Sequence, residues 1–151
     1  MLISPDGYAS PGVQYGKPSD VPASVRLMRY VLPKALLRMS LAPAYGNQAA
    51  LTDALLTRYH DLMLAPGVRE AMIARMQQAV LRDPEPVLRH ILAPTLLVWG
   101  QKDAMIPFTN AADYVRSMPN ATLVSFPELG HLPHEEAPAI SLEPVKVFLA
   151  Q

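Results

Sequence analysis

The chain has 151 residues, is 50% hydrophobic and 17% charged, and balances thirteen basic against thirteen acidic side chains. That suits one globular domain with a real core and argues against disorder, nucleic-acid binding or an acidic tail. Cysteine is absent, which excludes disulfides, thiolate metal sites and thiol nucleophiles.

The chain opens on a short apolar segment, Leu2-Ile3-Ser4, ended by Pro5-Asp6-Gly7. Glycines and prolines then recur to Pro22, so this stretch reads as loop. From Ala23 to about Leu41 the sequence is helix-prone and interrupted by Pro33, with Val25, Met28 and Leu32 on one helical face. Thr52-Asp53 offers an N-cap to a helix whose Leu51, Leu55, Tyr59 and Leu62 share a face. Pro66-Gly67 ends it. A further helix is expected from Val68 to Leu81, with Met72, Met76, Ala79 and Val80 at helical spacing, before Asp83-Pro84-Glu85-Pro86 breaks it.

The character changes at Thr95-Leu96-Leu97-Val98-Trp99, an apolar run between Pro94 and Gly100 that suits a strand buried on both faces of a parallel sheet. A helix from Pro107 to about Met118 follows, then a second strand at Thr122-Leu123-Val124-Ser125-Phe126. Beyond Gly130-His131 the tail is helical. Pro144 is expected to split it into two pieces, since an interior proline costs about 3 kcal/mol. This βαβα order implies parallel strands and an α/β class. Sixteen prolines are about twice the usual frequency and read as punctuation between elements. No internal repeat is evident.

In open parallel sheets, sites form beyond the carboxyl ends of the strands. Asp103 follows the first clear strand and His131 the second, and neighbouring strands lie roughly 5 Å apart. A carboxylate bonded to imidazole fixes its tautomer and stabilises the imidazolium formed on proton uptake. Other readings compete at this point. An aspartate in such a loop can simply cap a turn, and a loop histidine can be merely solvated. His131, His134, Glu135 and Glu136 offer metal-ligand types, but Pro133 interrupts the helix that would align them. Asp6 also follows a strand and offers an alternative acid. His60 and His90 have no partner in view and read as solvated.

The residues around Asp103 and His131 carry a resemblance. Ala93 to Phe108, with Trp99-Gly100, Asp103 and Ile106-Pro107, resembles the acid-bearing strand and loop of α/β-hydrolases. Pro119 to Ala139, with Gly130-His131 and Glu136-Ala137-Pro138, is similar to the histidine segment of that superfamily. The acid precedes the histidine, as in the family. The resemblance implies the carboxy-terminal half of a cap-bearing, esterase- or lipase-like enzyme. Residues 1–16 would be a first core strand and loop, residues 17–90 a helical cap, and residues 91–151 the core segment with the acid and base. The fold implied is partial: about three parallel strands with flanking helices plus the cap.

The family's Gly-x-Ser-x-Gly turn is absent from the sequence. None of the eight serines has glycines at that spacing, and Gly12-Val13-Gln14-Tyr15-Gly16 centres on a glutamine. The resemblance therefore implies a nucleophile outside this chain, a serine or, as in dehalogenase relatives, an aspartate. It implies ester hydrolysis first, then cleavage of C–C, epoxide or carbon–halide bonds, with no cofactor and no metal. The alternative is a catalytically inactive fragment or split-protein partner, completed by an amino-terminal half or self-associating through an open sheet edge. Five cap methionines suggest an apolar or mixed-polarity substrate. No run approaches the ~20 apolar residues of a membrane span and no secretory signal is evident, so a cytoplasmic setting is expected.

Overall fold

A computed structural model describes residues 1–10, 14–18 and 20–150. Part of the expected Gly/Pro loop, residues 11–13, lies outside them.

Among the described residues, three strands form one parallel sheet: β1 (Leu2–Ile3), β2 (Thr95–Gly100) and β3 (Ala121–Phe126), in the order β1-β2-β3. β2 is central and buried along its whole length, which is why it is apolar on both sides. Leu2 pairs with Leu97, and Thr95 through Gly100 pair with Ala121 through Phe126.

Successive strand side chains face opposite sides. Leu97 and Trp99 enter a core with Tyr8, Leu88, Ile106, Ala111, Tyr114 and Met118. That face is covered by α6 (Asn110–Ser117). Trp99 donates its indole N–H to the Ile106 carbonyl at 3.2 Å, so burying the ring leaves no orphaned donor. α6 begins three residues after Pro107; residues 108–109 form a turn instead of the expected first helical positions.

The opposite face carries α8 (Pro138–Leu149), which lies against β2 and buries Ser141, with Val98, Pro138, Leu142 and Val145 lining an apolar groove beside the contact. Here the expectation of two pieces is corrected, because α8 runs unbroken through Pro144. Docking against β2 holds the helix in place as it passes the proline. The carbonyl that Pro144 leaves without its amide belongs to Ile140, an exposed residue that water can reach.

Between β1 and β2 come α1 (Ala23–Leu27), α2 (Lys34–Leu41), α3 (Asp53–Leu64), α4 (Val68–Gln78) and α5 (Glu85–Leu88). Met28, Leu32, Leu37 and Leu56 form their own small core. α1 stops well before Pro33 in a turn at residues 28–30. Thr52 caps α3, accepting from the Leu55 amide at 3.2 Å. The face expected on α3 is corrected at two positions: Leu51 precedes the helix, and Leu62 is exposed, with Leu56 the buried residue. In α4 the buried residue is Ile73. The helix stops at Gln78, and Val80 instead bridges Pro18 in antiparallel fashion.

Ser4 closes β1 at φ 40°, the left-handed region that strains a residue with a Cβ. Its amide still donates to the Val98 carbonyl at 3.0 Å. The residue is 3% exposed, and its hydroxyl has no hydrogen-bond partner among the described residues.

Candidate active site

The loops after β2 and β3 are stitched together by main-chain bonds. Gln101 donates to Phe126 and Lys102 to Leu129, and Lys102 pairs with Glu128. The approach is so close that a Cβ on Gly100 would stand 2.1 Å from the Gly130 carbonyl oxygen. Only glycine fits there, and it lets the two strand tips converge.

Asp103 projects into this junction with its side chain fully buried. Its Oδ1 accepts from the Met105 amide at 2.9 Å and the Ile106 amide at 2.8 Å. Its Oδ2 lies 2.9 Å from His131 Nδ1. Buried polar groups are costly unless bonded, and each oxygen of this carboxylate is bonded. With Asp103 as acceptor, His131 carries its proton on Nδ1, leaving Nε2 as the basic nitrogen. The imidazole side chain is 23% exposed. Asp103 and His131 are therefore brought together, while Asp6, the alternative acid, is exposed after β1.

The metal-ligand types near His131 are sent apart. His134 is exposed. Glu135 Oε2 accepts from Tyr45 at 3.0 Å and Tyr59 at 2.7 Å. Glu136 Oε2 accepts from the amides of Gly46 and Gly130, and its Oε1 from that of Asn47. No group of three or more metal-ligating side chains occurs among the described residues. His60 is a correction to the solvated reading: its side chain is 16% exposed, with Nε2 2.9 Å from the Leu32 carbonyl. His90 also finds a local carbonyl, that of Pro86 at 2.8 Å.

Burial, and then the neighbouring Glu135 carboxylate, push the Tyr45 and Tyr59 hydroxyls above the usual phenol range, so both stay donors. Sequence reading missed this pair. Neither tyrosine lies near Glu135 in the chain. No local pattern marks their contact with Glu135.

A parallel sheet with a buried carboxylate and an imidazole at adjacent strand tips defines an α/β protein with half of a nucleophilic hydrolase's polar constellation. The sequence profile of the Alpha/beta hydrolase family matches residues 2–141. The chain belongs to that family. Among curated proteins it is 34% identical over 88 residues to a 2-hydroxy-6-oxo-6-phenylhexa-2,4-dienoate hydrolase of Burkholderia cepacia, covering 56% of this chain and 31% of that protein. Among solved structures, a meta-cleavage product hydrolase from Pseudomonas fluorescens IP01 superposes with a TM-score of 0.72 at 18% identity, covering 92% of this chain and 52% of that one. A thermophilic esterase from Thermogutta terrifontis gives 0.62 at 20%, covering 89% and 53%. The solved structures share the fold. The chain spans about half the length of these structures, and its matched segment covers under a third of the curated relative.

Among the described residues, no helix is long and apolar enough to cross a membrane.

Proposed function

We propose that this chain carries the acid–base pair of an acyl hydrolase whose nucleophile lies outside residues 1–151. The observation that carries the reading is the 2.9 Å contact between His131 Nδ1 and Asp103 Oδ2. In its ester form, a serine hydroxyl attacks the substrate carbonyl while His131 Nε2 takes the serine proton. The tetrahedral intermediate then expels the alkoxide, and His131 returns the proton to it. Water repeats the attack on the acyl-enzyme, again with His131 as base, and frees the acid. Asp103 holds the ring and stabilises its cationic form. Water is the only co-substrate.

Residues 17–90 act in this reading as a cap. A cleft of about 430 Å³ lies between α4 and the loops after β1 and β2, lined by Met72, Met76, Ala79 and Met105 with Asp6 and Arg75. Thioether walls adapt to apolar groups of varied shape, and the two charged residues suit a substrate of mixed polarity.

A second reading of the bond is favoured by the name of the Burkholderia cepacia relative. The compound in that name holds a ketone but no ester, so its hydrolysis breaks a carbon–carbon bond. The same acid–base pair would serve. The test is steady-state hydrolysis of a carboxylic ester and of a 2-hydroxy-6-oxodienoate by the complete protein. At least one should turn over, and His131→Ala should abolish it. Turnover that survives the substitution rejects the reading.

We further infer that the chain by itself is inert and needs a partner along β1. That strand pairs only with β2 among the described residues. Beside it runs an apolar groove lined by Met1, Ile3, Val98, Leu142 and Val145. An open edge next to apolar surface invites another chain. In gel filtration the isolated chain should self-associate; a sharp monomer peak with a cooperative melt would contradict this.

A further inference from the structure

Glu136 sits in the short helix α7 (Pro133–Glu136), and its hydrogen bonds are to the main chain. Three main-chain amides converge on its carboxylate: Asn47 on Oε1 at 2.6 Å, with Gly130 at 2.8 Å and Gly46 at 3.1 Å on Oε2. Gly130 directly precedes His131, and the His131 amide in turn donates to the Ala44 carbonyl at 2.8 Å. The two chain segments touch closely. A Cβ on Gly130 would stand 2.5 Å from both the Ala44 oxygen and the Gly46 nitrogen.

We propose that Glu136 is a positioning residue for His131. By gathering the amides of Gly130, Gly46 and Asn47 on one carboxylate, it fixes the main chain from which the imidazole reaches Asp103. The chemistry requires a carboxylate there. Both oxygens accept, and no donor is needed. Glutamine would keep one accepting oxygen but turn an NH₂ group toward an N–H. Aspartate would keep the charge but lose a methylene of reach. Glu135 cannot take over, because its own Oε2 is occupied by Tyr45 and Tyr59. Nor is the role merely that of a surface ion pair: the bonds to Glu136 come from amides, and those of Gly46 and Gly130 are part-buried, where an unpaired amide is costly.

The geometric part of this proposal stands on its own. Its consequence for rate rests on the acyl-hydrolase reading above. The experiment reads both in the complete protein with Glu136→Gln and Glu136→Asp, with Glu143→Gln as control, since Glu143 is exposed and pairs with Lys146. The first readout is the His131 Nδ1–H proton resonance, which a short bond to a carboxylate holds far downfield. Both variants should move it upfield and speed its exchange with water, and the control should not. The second readout is turnover: kcat should fall roughly tenfold to a hundredfold, as for small misplacements of a reacting group, with KM within about twofold. An unmoved Nδ1–H resonance overturns the proposal whatever happens to the rate. A moved resonance with unchanged rate supports the positioning role and instead sinks the catalytic reading of His131. If neither variant folds, the wild-type protein decides. The Gly130 amide should exchange as slowly as the amides of β2, and exchange at the rate of an open loop overturns the proposal.

Discussion

The Tyr59 hydroxyl lies 2.7 Å from Glu135 Oε2 across 76 residues of chain. It ties α3 directly to α7, the short helix that follows His131. Tyr45 reaches the same oxygen, so a helical segment inserted between two strands is fastened to the loop carrying the imidazole. Tyr59→Phe removes one hydrogen bond to a carboxylate while keeping the ring. A loss of about 1.5–3 kcal/mol is expected, read as a lower midpoint in urea with an unchanged slope.

Asp103→Asn should be isosteric but chemically different. The amide can still accept from Met105 and Ile106, but it then presents NH₂ to His131 and favours the wrong ring tautomer. In the complete protein, a fall in kcat on the order of 10³–10⁴ is expected. Steady-state kinetics check it, and KM should change little.

Gly100→Ala would place a methyl 2.1 Å from the Gly130 oxygen and 2.2 Å from the Leu129 oxygen, both main-chain atoms. A rigid neighbour cannot rotate away, so the two loops must part. The cost should sit near the top of the overpacking range, about 3 kcal/mol, and the His131 ring signal should shift with it. Denaturant melts and the ring resonance test both halves of this expectation.

Ser4→Gly should stabilise the protein. It relieves a left-handed backbone at φ 40°, worth about 1 kcal/mol, and removes a buried hydroxyl without a partner. The expected outcome is a rise in Tm; an unchanged or lower Tm would mean that the hydroxyl has a role.

Alkaline pH should destabilise the fold. Burial, helped by the negative charge of Asp6, pushes the Tyr114 hydroxyl up to about 12. Above pH 10 the unfolded chain releases this proton while the folded protein keeps it. The stabilisation is thus full below pH 10 and lost as pH rises toward 12. Tyr114 is only 3% exposed, so its share is roughly 2–3 kcal/mol. Urea melts from pH 8 to 11 should show the decline, and Tyr114→Phe should make it shallower, with Tyr45 and Tyr59 supplying the remainder.

The two strand-tip residues were legible because each follows an apolar, β-prone run, and a parallel sheet places such loops side by side. β2 was legible because burial on both faces keeps charged residues out of it and leaves the apolar run Leu96 to Trp99. The Glu135 and Glu136 contacts were not, since they depend on where α3 and residues 44–47 fold back, which no local pattern specifies. Pro144 misled for a related reason. Its local penalty is real, but α8 lies against β2 and the freed Ile140 carbonyl is open to water, so the helix runs on through the proline. Leu62 fitted a helical stripe as well as Leu56 did, and only the partner surface of Met28, Leu32 and Leu37 selects between them.

The central claim is tested most directly by treating the complete protein with a fluorophosphonate and locating the adduct by peptide mass. The expected result is one modified serine outside residues 1–151, with labelling lost in His131→Ala. Labelling that is indifferent to His131, or an adduct on Ser4 or any other serine of this chain, would contradict the account.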